Sequence, residues 1–208
     1  LITPELPGIG ASPLPAGGNY YEACAASLEE LRLALGLPRW SILGYSLGGW
    51  AVRAYVRRFP QVVERCIFLC IPRPLPPAAL GLRLLDHLDH AWPAFGDWLV
   101  SGWRLRCLVT TLGFNGLSWR LARLWSDEIA SQPPWIVKET LRAMPGYGRT
   151  PLDLPELSTL FIWGRTDLLG VAPLRPGPGD VILPGGHDLP MSAAARVAPV
   201  VQQFLSPG

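Results

Sequence analysis

The 208 residues are 49% apolar and only 16% charged, enough to bury one sizeable core, and they read as one domain carrying an insertion. A formal charge of +2 excludes the basic surplus that a nucleic-acid or acidic-membrane partner would need. No apolar run reaches the eighteen or so residues of a membrane helix, and no signal peptide precedes the first predicted strand.

Leu1 to Thr3 reads as the tail of a buried strand ended by Pro4, and Leu6 to Gly18 as a Pro- and Gly-broken loop. The chain starts without methionine and in the middle of a structural pattern, so its true N-terminus and earlier strands are expected to be missing. Tyr20 to Leu35 has helical period, with Tyr21, Cys24, Ala25, Leu28, Leu31 and Leu35 on one face and Gly36 and Pro38 as its stop. A strand at Trp40 to Leu43, a helix at Leu47 to Phe59 ended by Pro60, and a buried strand at Arg65 to Ile71 follow.

Residues 73 to 150 differ. They hold six of the nine tryptophans (Trp92, Trp98, Trp103, Trp119, Trp125 and Trp135) among amphipathic segments at Leu80 to Leu88, Trp98 to Leu112 and Leu117 to Ile129. Strands return at Thr159 to Trp163 and Asp180 to Leu183, and a last helix, kinked at Pro199, spans Ser192 to Leu205. Alternating strands and helices imply a mostly parallel sheet covered on both faces. The three segments expected are a first core part at 1–72, a helical cap or lid at 73–150 whose tryptophans form its core or line an acyl pocket, and a second core part at 151–208.

Cys24, Cys66, Cys70 and Cys107 form no metal-like cluster, and Cys66 and Cys70 lie inside the apolar run Cys-Ile-Phe-Leu-Cys, as buried thiols would. A reducing cytoplasm is the expected setting. His87 and His90 have a spacing that can bind metal on a helix, but no third ligand is apparent, and a solvated helix face is the expectation.

Gly44-Tyr45-Ser46-Leu47-Gly48-Gly49 lies between a predicted strand and a predicted helix. A serine hydroxyl is a weak nucleophile unless exposed, strained and beside a base. A sharp strand-to-helix turn supplies the strain, glycines on either side allow close backbone approach, and the helix N-terminus offers the Leu47 N–H to a developing oxyanion. His187, after Gly185-Gly186 and before the last helix, stands where a general base can reach a serine. Asp167 ends Phe161 to Thr166, a strand running into a turn, and a carboxylate there can orient the imidazole. Asp180 opens a strand at the opposite end of the sheet, and Asp188 is expected to cap the last helix. The order Ser, Asp, His is the one expected with this nucleophile turn.

With these residues in place the chain resembles the α/β-hydrolase superfamily everywhere outside 73–150. Glu-Leu-Pro-Gly-Ile-Gly-Ala-Ser at 5–12 is similar to the family's Asp-x-x-Gly-x-Gly-x-Ser loop, with Glu5 in place of Asp; Gly44 to Gly49 resembles the nucleophile turn, Gly164 to Asp167 the acid turn, and Gly186-His187 the histidine loop. The resemblance implies Ser46 as nucleophile, Asp167 as acid, His187 as base and Leu47 as one oxyanion donor, with no metal or organic cofactor, and the apolar, aromatic lid leans toward a small hydrophobic ester or acyl substrate.

The His-Gly-type loop that supplies the second oxyanion donor is absent from the sequence. The family strand that neighbours the Leu1 to Thr3 segment is absent too, which implies weakened structure and activity. Where the family has a helix, Leu168 to Gly179 is Pro- and Gly-rich and is expected to be a loop. Hydrolysis through an acyl-serine is the first expectation; acyl transfer, a lyase-type step, or a non-catalytic binding protein on the same fold are the others. Dehalogenase and epoxide hydrolase chemistry is disfavoured because relatives performing it carry Asp at the position of Ser46.

Overall fold

The computed structural model describes residues 1–13, 19–73, 76–101, 127, 132–139 and 157–206. Four strands, β1 (Trp40–Tyr45), β2 (Val63–Leu69), β3 (Ser158–Gly164) and β4 (Asp180–Leu183), form one sheet in the order β1-β2-β3-β4, parallel throughout. All four therefore deliver their C-terminal ends to the same edge, where the loops of a parallel sheet gather functional side chains.

Period-two alternation divides the core. Cys66 and Phe68 of β2 point to the face covered by α1 (Tyr20–Ala34) and α2 (Gly48–Arg58), among Tyr21, Cys24, Trp50, Tyr55 and Val56. Ile67 and Leu69 point the other way, paired in register with Leu160 and Ile162 of β3. They meet Leu189 of the one-turn helix α5 (Leu189–Ser192) and Val197 of α6 (Ala194–Leu205). The sheet thus has helices on both faces, as an α/β layer needs if near-continuous apolar strands are to be buried. Between β2 and β3 the described residues contain α3 (Pro76–Ala91), α4 (Pro93–Ser101) and a helical stretch at 134–139. Most of the predicted segments Trp98 to Leu112 and Leu117 to Ile129 lie outside the described residues.

Lys138 ties this region together, its Nζ 2.6 Å from both Asp89 Oδ1 and Asp97 Oδ1. Desolvation works against the ammonium charge, but hydrogen bonds to the two carboxylates outweigh it and raise the lysine above its ordinary value. Among the described residues no helix is long and apolar enough to cross a membrane.

Several sequence expectations change. Leu1 to Thr3 forms no strand and is exposed, because none of the four strands pairs with it and extended backbone without a ladder partner has no fixed register. β1 is the outer strand of the described sheet, and its Leu43 is exposed. On α1 the buried face ends with Arg32 rather than Leu35. Arg32 is drawn in because its Nε and Nη2 bind both oxygens of Glu29 at 2.9 and 2.6 Å while Nη1 donates to the carbonyls of Leu37 and Pro38. The Tyr55 hydroxyl donates to Glu29 Oε2 at 2.7 Å and accepts from Trp40 Nε1 at 3.1 Å, so one carboxylate clamps α1, α2 and the start of β1.

The Arg32 hydrogen bonds hold the Glu29 carboxyl below its ordinary value. A depressed carboxyl contributes stability above its unfolded-state range, lost as pH falls through the lower native value. In urea titrations between pH 7 and pH 3, Glu29→Gln is therefore expected to be less stable than wild type at neutral pH and to lose less as the pH drops; parallel curves would refute the clamp.

Asp188 precedes α5, not the last helix, and its side chain makes no capping bond. The chain turns once in α5 and restarts at Ala194, so the helix beginning after Asp188 is not the one predicted. Pro199 lies inside α6 and cannot donate to the carbonyl one turn back. Leu168 to Gly179 contains no helix, as its proline and glycine content predicts.

Candidate active site

Ser46 follows β1 directly and has φ +50°, a left-handed conformation rare for a residue with a Cβ. The strain is held on both sides: Ser46 N–H donates to the Leu69 carbonyl of β2 at 3.0 Å, and Gly49 N–H donates back to the Ser46 carbonyl at 2.9 Å. Gly44 makes the turn possible, because a Cβ there would lie 2.6 Å from Gly49 Cα and 2.7 Å from the Gly48 carbonyl. Gly48 differs from the sequence expectation: a Cβ on it meets nothing within 4 Å among the described residues. The close approach belongs to one glycine of the pair. Leu47 is the N-cap residue of α2, and its N–H donates to no group among the described residues.

The imidazole of His187 reaches this turn from the loop after β4. Its Nε2 stands 2.7 Å from Ser46 Oγ, and its Nδ1 stands 2.9 Å from Asp167 Oδ2. A carboxylate can only accept, so in the neutral imidazole Nδ1 carries the proton and Nε2 accepts the serine O–H. Asp167, after β3, is held by its other oxygen, which accepts the N–H groups of Leu169 and Gly170, each at 2.8 Å. Asp167 is 4% and His187 1% exposed, so their bond lies in a weakly screening interior.

The two loops are fastened to each other. Arg165 N–H donates to Leu183 O at 2.9 Å, and both Thr166 N–H and Oγ1–H donate to Gly185 O at 3.0 Å. A Cβ on Gly164 would collide with the carbonyl of Gly186, so the acid turn and the histidine loop touch backbone to backbone. The structure thus brings Ser46, His187 and Asp167 together, at the ends of β1, β4 and β3. Asp180 stays at the far end of the sheet, where its Oδ1 accepts from Trp163 Nε1 at 2.6 Å. His87 and His90 lie exposed on α3, His90 Nδ1 being 2.9 Å from the Asp86 carbonyl.

Two contributors escaped sequence reasoning. Tyr45 donates its hydroxyl to the carbonyl of His187 at 2.8 Å, with its ring 5.6 Å from the imidazole. Burial raises its phenol, which stays protonated and able to donate. Cys70 closes β2 with φ +50° and sits with Asp167 and His187 in a cluster whose nitrogen, sulfur and oxygen ligand atoms lie within 4.8 Å of one another. The available signal was positional: both residues occupy C-terminal strand ends.

A parallel sheet with this turn after β1 and this trio at its C-terminal edge defines the α/β-hydrolase fold. The family model described as alpha/beta hydrolase fold matches residues 1–103 of the chain. The chain is 31% identical over 93 residues, 44% of its length, to a 2-hydroxy-6-oxo-2,4-heptadienoate hydrolase of Pseudomonas putida, covering 32% of that protein. An uncharacterized protein of Mycobacterium tuberculosis is 35% identical over 69 residues, 33% of this chain, and the match spans only 20% of the relative's length. In structure the chain is similar to a thermophilic esterase from Thermogutta terrifontis, with a TM-score of 0.69, 23% identity, and coverage of 96% of this chain and 77% of the esterase. At that identity the likeness shows the fold.

Proposed function

We propose that the chain is the catalytic part of a serine hydrolase that cleaves a carboxylic ester or similar acyl compound through an acyl-Ser46 intermediate. The observation that carries this reading is the continuous hydrogen-bond chain from Ser46 Oγ through His187 to Asp167, at 2.7 and 2.9 Å. In the proposed reaction Nε2 of His187 takes the Ser46 proton as Oγ attacks the acyl carbon, and the imidazolium returns it to the leaving group. Water, deprotonated by the same nitrogen, then attacks the acyl-enzyme and frees the acid. Asp167 keeps Nδ1 protonated and stabilises the imidazolium without taking its proton. The Leu47 N–H, open at the start of α2, is the proposed oxyanion donor.

The proposal assigns residues 73–150 to a cap over this edge, and the aromatic and apolar content there favours a small hydrophobic acyl group. Cys24, Cys66 and Cys70 are free, which suits a reducing cytoplasm. No step requires a cofactor or metal.

Labelling with a fluorophosphonate probe tests the reading. One adduct per chain is expected, on Ser46 by peptide mapping and absent from Ser46→Ala. A wild-type protein that stays unlabelled, or is labelled at another residue, overturns it.

A further inference from the structure

Ser46 and His187 follow strands that are not neighbours. In the order β1-β2-β3-β4 two strands separate the turn after β1 from the loop after β4. Three inter-strand spacings of about 4.8 Å put the roots of turn and loop roughly 14 Å apart. The acid needs no such reach. β3 and β4 are paired, and Arg165 and Thr166 hold the acid turn to the histidine loop through the Leu183 and Gly185 carbonyls. The His187–Asp167 contact at 2.9 Å is therefore fixed locally. The Ser46–His187 contact at 2.7 Å depends instead on how far the histidine loop leans back across the sheet edge.

Tyr45 spans that gap. It is the last residue of β1, adjoins Ser46, and is paired in register with Leu69 of β2. Its ring packs against the apolar cluster that contains Ile67, Leu69 and Leu189, which leaves the side chain little room to swing. From there the hydroxyl donates to the main-chain carbonyl of His187 at 2.8 Å, and the ring lies 5.6 Å from the imidazole. Residue 187 is thus attached to two consecutive residues at the end of β1, through its carbonyl to Tyr45 and through Nε2 to Ser46. Two attachments fix both the distance and the tilt of the imidazole, where one would let it pivot about the Ser46 bond.

We infer that Tyr45 is a positioning residue, whose hydroxyl anchors the main chain of His187 so that the imidazole stays within hydrogen-bond reach of Ser46. The inference rests on the serine-hydrolase reading only for its consequence in turnover, since the anchor exists whatever the reaction. A hydroxyl that merely satisfied a carbonyl could be removed with both contacts of the imidazole intact. Loosening of the whole loop would disturb both contacts together. An anchor of this kind, once lost, disturbs the Ser46 side alone.

The experiment compares wild type, Tyr45→Phe and a protein with para-aminophenylalanine in place of Tyr45, which keeps a donor at the same reach. Nitrogen NMR of the His187 ring is recorded at a pH where the ring is neutral, with resonances assigned by their loss in His187→Gln. Nε2 reports the hydrogen bond from Ser46, and the Nδ1 proton reports the bond to Asp167. Ser46→Ala marks where Nε2 lies without the hydroxyl. Tyr45→Phe is expected to move Nε2 toward that mark and to leave the Nδ1 proton near wild type, and para-aminophenylalanine to restore Nε2. Tyr45→Phe is also expected to react with a fluorophosphonate about fivefold more slowly, the scale of one neutral hydrogen bond. In ester turnover kcat should fall by a similar factor with KM unchanged.

An Nε2 resonance that stays in place in Tyr45→Phe, one that moves together with the Nδ1 proton, or labelling at the wild-type rate overturns the inference. An Nε2 resonance that Ser46→Ala itself leaves in place overturns it as well, since there is then no contact to hold. If Tyr45→Phe does not fold, the para-aminophenylalanine protein decides: Nε2 displaced from wild type overturns the inference, and Nε2 in place supports it. Because the ring resonances need no turnover, a wild-type protein that resists labelling would sink the hydrolase reading while leaving Tyr45 to be judged on Nε2.

Discussion

Ser46→Ala is expected to lower kcat by about 10⁴-fold or more on any ester the wild-type protein turns over, with little change in thermal stability. The loss is large because the hydroxyl is the one atom in the trio able to form the acyl bond, and His187 and Asp167 have nothing to activate without it. Stability should survive because the turn is held by main-chain bonds, from Ser46 N–H to Leu69 O and from Gly49 N–H to Ser46 O, which alanine keeps. Alanine also suffers the same left-handed penalty as serine, so the backbone cost is unchanged. Paired kinetics and thermal melts measure both halves. Activity retained to within tenfold would mean that the proposed nucleophile is not one.

Gly44→Ala is expected to damage the fold and the site together. The added methyl would stand 2.6 Å from Gly49 Cα, 2.7 Å from the Gly48 carbonyl and 2.8 Å from Gly49 N, all backbone atoms at the start of α2 that cannot swing aside. Relief requires α2 to move away from β1, which shifts Ser46 relative to an imidazole that the β4 loop holds independently. A cost of about 3 kcal/mol is reasonable for such overpacking, lowering Tm by roughly 6–12 °C in a chain of this size, with kcat reduced about 10²-fold or more by the misplaced nucleophile. Gly48→Ala is the matched control. Its Cβ meets nothing within 4 Å among the described residues and its φ is not positive, so stability within about 0.5 kcal/mol of wild type, or slightly above it from better helix propensity, is expected. If both substitutions cost the same, steric closeness at Gly44 is not what the turn depends on.

The Gly44 and Gly48 pair shows how far the sequence reaches. Spacing alone assigns both glycines the same task, because a motif records which residue types recur and not which atoms touch. Similarly, helical period on α1 selects Leu35 by its apolarity, whereas the fold places Arg32 inside because Glu29, Tyr55 and two carbonyls satisfy its guanidinium. Tyr45 and Cys70 are in plain view at strand ends, yet Tyr45 reaches His187 and Cys70 clusters with Asp167 and His187, residues far along the chain that no local pattern encodes.

By itself the sequence determined the alternation of strands and helices, the Gly44 to Gly49 turn after the first described strand, and Ser46, Asp167 and His187 as the residues to watch. Period, apolar content and turn residues are properties of neighbours in the chain. Tertiary structure decided that the three side chains meet within hydrogen-bond reach, that one glycine of the motif bears the close contact, and that Cys70, just past β2, clusters with Asp167 and His187. The meeting of the side chains depends on parallel register, which sets distances between strands far apart in the chain, and the Gly44 contact depends on how the turn folds α2 back onto β1.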